Sequence, residues 1–256
     1  MPHFRLTVSY DGTAFVGWQR QADGVSIQAL IEDAIVPLEG ATVVVHGAGR
    51  TDAGVHALAQ VASVTLTREV DAGTLARSVN ARLPPAVRIV DASAMPPAFH
   101  ARFSATAKTY RYRIWNTEVL DPFERDYVWH VTAPLNVDAM AEAAACLEGR
   151  HDFASFQTAG AEPQSTERTV FSSRVLREGS LVRYEIRGDG FLRHMVRGIV
   201  GTLVDVGRGR HPPSWVREVL ASKSRASAGR TAPASGLFLV AVEYDNAGAG
   251  TQGCLL

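Results

Sequence analysis

The sequence predicts an α+β fold in which two ferredoxin-like α/β halves share a largely antiparallel central sheet with helices on one side. Several short segments alternate apolar and polar residues, these segments come in hairpin-like pairs, and helical periodicities lie between them. The chain has 256 residues, of which 46% are hydrophobic. That is enough to bury one large core or two smaller cores that share a cleft.

The first 96 residues follow the order β-α-β-β-α-β, which is the ferredoxin-like plan. Ser26 can cap a helix whose apolar face runs from Ile27 to Ile35, because serine accepts hydrogen bonds from helix N-terminal amides. Asp71 can start a second helix, which Pro84 ends. The predicted strands are residues 4–10, 42–46, 60–67 and 87–92.

Residues 97–245 form the second half and are similar in kind. Glu178-Gly179 marks the turn of a hairpin. Predicted strands are residues 109–115, 170–176, 181–187 and 237–242, and predicted helices are 137–147, 191–206 and 214–221. We place the boundary between the halves near Pro96-Pro97, and we expect residues 246–256, which are rich in glycine and lack periodicity, to be a flexible tail.

The formal net charge is zero, which by itself argues against a nucleic-acid partner. The charges are nevertheless segregated along the chain. Residues 100–113 hold four basic residues and no acid, and residues 208–230 hold six basic residues against Glu218 alone. A basic face and an ordinary solvated surface are both compatible with this pattern.

Cysteine usage and hydropathy bear on the cellular compartment. Cys146 and Cys254 are far apart and match no metal or redox spacing, so we predict neither a disulfide nor a metal site. Residues 1–10 lack the apolar core of a signal peptide, and no apolar run approaches the roughly 18 residues that a membrane helix needs. We therefore expect a cytoplasmic protein without a membrane partner.

Residues 47–57 combine three glycines with Arg50 and Asp52 between two predicted strands. A phosphate-binding loop is excluded because the Gly-Lys-Ser/Thr ending is absent and a strand follows, and a dinucleotide fingerprint fails on glycine spacing. A metal site of His46, Asp52 and His56 lacks a second ligand cluster. Two interpretations remain: a tight turn in which Asp52 binds backbone amides, and a catalytic carboxylate.

Five sequence blocks resemble one family. Gly-Arg-Thr-Asp-Ala-Gly-Val-His-Ala at residues 49–57 resembles the catalytic signature of the tRNA pseudouridine synthase A (TruA) family. The other blocks occur in the family's order and cover nearly the whole chain: Tyr-Asp-Gly at 10–12 with Gly-Trp-Gln-Arg at 17–20, Phe-His-Ala-Arg-Phe-Ser-Ala-Thr-Ala at 99–107 with Thr-Tyr-Arg-Tyr at 109–112, His-Met-Val-Arg at 194–197 with Ile-Val-Gly at 199–201, and Gly-Leu-Phe-Leu-Val-Ala-Val at 236–242.

The resemblance implies roles for individual residues. Asp52 matches the catalytic aspartate, Tyr110 the tyrosine that stacks on the target base, and Arg197 the arginine that pairs with the catalytic carboxylate. We expect this pairing to keep Asp52 charged. A second RNA-contacting stretch is expected near residues 160–164. The positions matching tRNA contacts are Arg50, Phe99, His100, Ala101, Arg102 and Phe103.

The resemblance also implies a function. The family is a cofactor-free isomerase that converts uridine to pseudouridine at positions 38, 39 and 40 of the tRNA anticodon arm. The target base is flipped out of its stack, and the enzyme is a homodimer whose α/β halves form a cleft.

From the residues alone, several alternatives remain. An RNA-binding module without catalysis needs Asp52 only to shape the turn. A carboxylate hydrolase acting on a nucleoside or glycoside usually needs a second carboxylate, and the loop offers only Asp52.

Tyr110 shares a strand face with core residues, which favours core packing. His56 is interpreted as supporting the loop, and His194 as lining a pocket or packing in a helix core.

Overall fold

The computed structural model describes residues 1–158 and 165–245, so the expected tail 246–256 and the expected RNA-contacting stretch 160–164 lie outside the described residues. The strands are β1 His3–Tyr10, β2 His46–Gly47, β3 His56–Thr65, β4 Val87–Met95, β5 Ala105–Trp115, β6 Trp129–His130, β7 Gly149–Asp152, β8 Glu167–Glu178, β9 Leu181–Gly188 and β10 Leu237–Tyr244. The helices are α1 Ile27–Glu39, α2 Ala72–Asn80, α3 Val137–Ala145, α4 Met195–Gly207 and α5 Trp215–Ser222.

All described strands belong to one sheet, with the order β4-β1-β3-β10-β5-β9-β8-β7; β2 pairs with β3, and β6 pairs with β5. Every pairing is antiparallel except β3 with β10 and β5 with β6. The two halves of the chain meet where Phe238 of β10 lies opposite His56 of β3. The predicted α+β class with a largely antiparallel sheet is confirmed, whereas the ferredoxin-like description of each half and the boundary near residue 96 stay predictions.

One face of the sheet carries the core. β1 and β9 alternate strictly, and their inward residues, such as Leu6 and Tyr184, are fully buried. These residues form one hydrophobic cluster with buried helix residues such as Ile31, Met140 and Leu203. The sheet therefore packs its apolar face against the helices. No helix among the described residues is long and apolar enough to cross a bilayer.

The strand predicted over residues 42–46 is wrong for most of its length, because only His46 and Gly47 pair with β3. The backbone of Val45 is bound instead by side chains of α1. Its N–H donates to Glu32 Oε1 at 3.1 Å, and its carbonyl accepts from Gln28 Nε2 at 3.1 Å. Side-chain partners thus satisfy the groups that a strand ladder would use.

Several predicted boundaries also differ, by up to four residues, and two of them bear on the site. β3 begins at His56 and not at residue 60, because its first residues pair with both Tyr10 of β1 and Phe238 of β10. The helix predicted from residue 191 begins at Met195. His194 has φ 61° and ψ 5°, a left-handed conformation that cannot continue a right-handed helix.

Candidate active site

Loop 47–57 lies directly against the segment that follows β1. The N–H of Trp18 donates to the carbonyl of Thr51 at 3.1 Å, and the hydroxyls of Tyr10 and Thr51 are 2.8 Å apart. Gly17 has φ +103°, and a Cβ there would lie 2.5 Å from the Thr51 carbonyl oxygen. The glycine therefore permits both the turn and the close approach, and together these contacts fix the backbone on either side of Asp52.

Asp52 stands at the tip of this loop. Its carbonyl accepts from the N–H of Val55 at 3.1 Å, and Gly54 completes the turn with φ +75°. Within the described residues, no backbone amide donates to the Asp52 carboxylate. The turn therefore forms without the side chain, and the carboxylate is available for other contacts.

His56 stabilises the loop from behind. Its Nδ1 accepts from the N–H of Gly12 at 3.0 Å, so the proton lies on Nε2, which is 3.1 Å from the Ser235 carbonyl. The ring stacks on Phe238 with centroids 4.6 Å apart. Burial lowers the pKa of His56 more than the nearby Asp11 carboxylate raises it. A neutral imidazole linking two backbone segments agrees with the predicted supporting role.

Two side chains from the start of α4 face the Asp52 carboxylate. Arg197 Nη1 lies 3.6 Å from Oδ2, and His194 Nε2 lies 3.3 Å from the same oxygen. Arg197 also donates through Nε to the carbonyl of Ala232 at 2.7 Å, which fixes the guanidinium plane. The Asp52 side chain is 31% exposed, so a substrate atom can still reach it.

Tyr110 of β5 is mostly buried, and its ring meets Phe191 edge-to-face with centroids 5.0 Å apart. Burial raises the pKa of Tyr110, and Tyr10 and the Asp52 carboxylate add to this effect, so the phenol stays protonated. Tyr110 packs in the core, as its strand face indicates, and it also lines the cleft that Asp52 lines, whereas its stacking on a target base stays a prediction.

A cavity of about 1280 Å³ opens above these residues and is lined by both halves of the chain. Asp52 is the only acidic residue among its described lining residues. Seven basic side chains line it: Arg20, Arg50, Arg102, Lys108, Arg168, Arg193 and Arg197. A chain with zero net charge therefore presents a strongly basic cleft.

The basic segments of the sequence contribute unequally to this cleft. Arg102 and Lys108 line it, but Arg111 pairs with Glu185 at 3.0 Å and Arg113 with Glu124 at 2.8 Å. None of the basic residues in 208–230 is among the residues that line the cleft. The sequence thus indicates two basic segments, but of these only residues 100–113 contribute basic side chains to the cleft, and the basic residues of 208–230 lie on other surfaces.

The predicted tRNA-contacting residues divide into two groups. Arg50, His100, Arg102 and Phe103 line the cleft. Phe99 packs against His3 and Tyr244, and Ala101 is fully buried with its N–H donating to Ser63 Oγ at 3.2 Å. Phe99 and Ala101 therefore hold residues 99–103 in place. RNA contact by any of the six predicted residues stays a prediction.

Some site residues were not found from the sequence. His194 was interpreted only as pocket or core, and Lys108 received no role, although its spacing two residues before Tyr110 on one strand is the signal for a shared face. Among residues 1–158 and 165–245, no three His, Cys, Asp or Glu residues come together in a way that would hold a metal ion. The considered set of His46, Asp52 and His56 is therefore not assembled.

Comparisons with known proteins give the family of the chain. The family model described as tRNA pseudouridine synthase matches residues 6–104 and 143–245. The chain belongs to the tRNA pseudouridine synthase family. It is 45% identical over 240 residues to tRNA pseudouridine synthase A of Syntrophotalea carbinolica, with 94% of this chain and 95% of that protein covered. Proteins of the same name from Solibacter usitatus and Myxococcus xanthus are each 46% identical, covering 95% of this chain and 100% and 92% of their own lengths.

A pseudouridine synthase is an isomerase, and the chain is therefore an enzyme of this class. The reaction of the family breaks the N1–C1′ bond of uridine and joins C5 to C1′, with no net change in atoms.

Proposed function

We propose that this chain isomerises uridine to pseudouridine in the anticodon stem-loop of tRNA, at positions 38, 39 and 40. The observation that carries the proposal is the meeting of Asp52, Tyr110 and Arg197, from three separate segments, at one basic cleft. The tRNA substrate is supported by the family match, and the three positions by the resemblance of the sequence blocks.

The target base is flipped out of its stack to enter the cleft, which costs a few kcal/mol. The Tyr110 ring stacks on this base. Arg50, Arg102 and the other basic residues of the cleft bind the phosphates around it and offset part of that cost. Because the base arrives in a pocket that both halves line, their relative position decides whether the glycosidic bond reaches Asp52.

Asp52 acts as the nucleophile, at C1′ of the ribose or at C6 of the base. At C1′, the carboxylate displaces the uracil through N1, the uracil rotates, and C5 attacks C1′ and releases Asp52. At C6, the carboxylate adds to the base before the N1–C1′ bond breaks and is eliminated after C5 has bonded to C1′. In both routes the proton on C5 leaves as N1 gains one. Substrate and product are isomers, so the step needs no oxidant, reductant or water. Arg197 orients the carboxylate, because its Nη1 lies 3.6 Å from Oδ2 and its guanidinium is held by the backbone of Ala232.

The rival functions are less well supported. A glycoside or nucleoside hydrolase usually has two carboxylates flanking the bond, and Asp52 is the sole carboxylate among the cleft residues that the structure describes. An RNA-binding module without catalysis would need the side chain of Asp52 to shape the turn. The turn is instead held by contacts of Val55 and Thr51 and by the backbone conformation of Gly54.

The same proposal includes the remaining organisation of the protein. We infer a cytoplasmic homodimer in which two ferredoxin-like halves, residues 1–96 and 97–245, form the cleft. This follows the family resemblance and the joining of the halves at β3 and β10. Sedimentation of the purified chain would reveal the dimer.

The test uses unmodified tRNA made by transcription. The wild-type chain and Asp52→Asn, which has nearly the same shape, are incubated with the tRNA, and pseudouridine is mapped chemically. We expect product at positions 38–40 with the wild type, none with Asp52→Asn, and tRNA affinity within about threefold, because the phosphate contacts are unchanged. Product from Asp52→Asn at the wild-type rate would refute the mechanism. Release of free uracil would indicate a hydrolase, and binding without product a module.

A further inference from the structure

His194 has a backbone conformation that residues with a Cβ seldom adopt. It is the N-cap of α4 with φ 61° and ψ 5°. Among the described residues, only His194 and Lys223 are non-glycine residues with positive φ. This conformation costs on the order of 1–2 kcal/mol for a residue with a Cβ, and such strain concentrates at functional sites.

The left-handed turn directs the imidazole to the catalytic carboxylate. His194 and Arg197 are three residues apart at the start of one helix, and both approach Oδ2 of Asp52. Nε2 of His194 is the nearer of the two nitrogens, at 3.3 Å against 3.6 Å. Its side chain is 18% exposed, so solvent competes little for this contact.

The charged groups around His194 determine its protonation state. Asp52 of loop 47–57 raises the pKa of His194. Three arginines lower it: Arg197 of α4, Arg193 just before α4, and Arg225 in the segment that follows α5. Burial is the largest cause, and the net result lowers the pKa of His194 below its ordinary value of 6.5. Near neutral pH the ring is uncharged, and the carboxylate facing Nε2 favours the tautomer with its proton there.

We infer that His194 is a positioning residue for Asp52: its Nε2–H donates to Oδ2, and this leaves Oδ1 aimed at the flipped nucleotide. The inference rests on the proposed role of Asp52 as the reacting carboxylate. Arg197 supplies the compensating charge, and His194 fixes the angle of the carboxylate. A second directional contact matters because misplacing a reacting atom by about 1 Å can cost on the order of 100-fold in rate.

Two substitutions separate the donor from the backbone. The amide nitrogen of His194→Gln reaches about as far as Nε2 of histidine but does not titrate. The amide of His194→Asn corresponds to Nδ1 and falls short of Asp52, whereas asparagine tolerates the left-handed conformation well. His194→Asn therefore tests for the lost contact in a folded protein, and His194→Gln is its conservative counterpart.

We expect His194→Asn to lower kcat on unmodified tRNA by about 10–100-fold, with KM, tRNA affinity and Tm close to wild type. His194→Gln should restore kcat to within about fivefold of wild type. Wild-type kcat should fall as the pH drops through the lowered pKa of His194, because the protonated imidazole is a second cation that makes Asp52 less nucleophilic. His194→Gln should lose this dependence between pH 5 and 7.

Each outcome assigns a failure to one idea. If Asp52→Asn is inactive and His194→Asn keeps wild-type kcat, the positioning role is refuted and the proposed function stands. If His194→Gln is as slow as His194→Asn and the pH profile is unchanged, hydrogen-bond donation is not what the ring supplies, and the inference again fails. If Asp52→Asn itself makes pseudouridine at the wild-type rate, the proposed mechanism is refuted, and the inference about His194, which rests on it, falls with it.

Discussion

At the scale of single residues, Arg197 has two partners that lie in different directions. Its Nε donates to the carbonyl of Ala232 at 2.7 Å, and its Nη1 faces Asp52 at 3.6 Å. The N–H of Ala232 returns a hydrogen bond to the Arg197 carbonyl at 3.0 Å. The guanidinium is therefore oriented by the backbone before any substrate enters. The planar guanidinium presents its donors in fixed directions and so holds both partners in one orientation, whereas a lysine ammonium is a rotatable point charge.

We predict that Arg197→Lys lowers kcat by about 100-fold or more, because the lysine keeps the charge but loses the orientation that Ala232 provides. Arg197→Met should be slower still, since it also removes the charge. Single-turnover assays on unmodified tRNA measure both effects. Arg113→Lys, which alters an arginine paired with Glu124 outside the cleft, is the control and should remain near wild type. Equal rates for Arg197→Lys and wild type would contradict the orienting role.

The residue scale also shows what sequence reasoning missed. The resemblance pointed to Asp52, Tyr110 and Arg197, and the three lie together at one cleft. Their proximity depends on long-range pairing of β5, β10 and β3, which no local pattern reveals. His194 was missed as a partner of Asp52 because its contact depends on a left-handed backbone angle that histidine rarely adopts.

At the scale of elements, alternation located the strands best where one strand face meets the core along its whole length. β1 and β9 alternate without interruption and were predicted within one residue. Residue preference gave a wrong prediction at residues 42–45. The β-branched residues suggested a strand, but Gln28 and Glu32 of α1 bind the backbone of Val45. β-propensity describes fit to a pleated surface, and it cannot detect a competing side-chain partner.

Helix α4 carries Arg197 and lies in unusually close contact with residues 228–232. A Cβ at Gly201 would lie 1.6 Å from the carbonyl oxygen of Arg230, and the N–H of Gly229 donates to Thr202 Oγ1 at 2.9 Å. The same segment supplies Ala232 to Arg197. Packing along this helix therefore sets the position of the cation beside Asp52.

We predict that Gly201→Ala lowers the free energy of unfolding by about 3 kcal/mol, because the methyl group must displace backbone. Urea unfolding of the purified variants measures this loss. The folded fraction should also have reduced kcat, since residues 228–232 move away from Arg197. Gly40→Ala is the matched control: Gly40 has φ +82° and no atom within 4 Å of its would-be Cβ, so only backbone strain of about 1–2 kcal/mol is expected. Wild-type kcat in Gly201→Ala would mean that this packing does not position the cation.

At the scale of the whole molecule, the zero net charge conceals a separation of charges. Acidic residues pair with arginines on other surfaces, as in Arg111 with Glu185 and Arg187 with Glu243. Seven basic side chains line the cleft, and Asp52 is the only acid among its described lining; one of the seven, Arg20, is paired with Glu32 and Asp33 beside the cleft. Composition alone could not show this, because it records how many charges there are and not which of them neutralise each other. A polyanion therefore meets an attractive field at the one place where Asp52 is exposed.

We predict that tRNA affinity falls steeply with salt, because each phosphate that a cleft cation neutralises releases counterions. Arg20 and Arg197 are already paired with carboxylates, and four contacts from other cleft cations would weaken binding on the order of 100-fold between 50 and 200 mM salt. Arg50→Gln and Arg102→Gln should each reduce the slope of log Kd against log salt by about 1, measured by filter binding with unmodified tRNA. Arg217→Gln removes an exposed arginine of the basic segment 208–230, which does not line the cleft, and should leave the slope unchanged. If Arg217→Gln lowers the slope as much as Arg50→Gln does, the tRNA lies across that other basic surface, and the cleft alone does not account for binding.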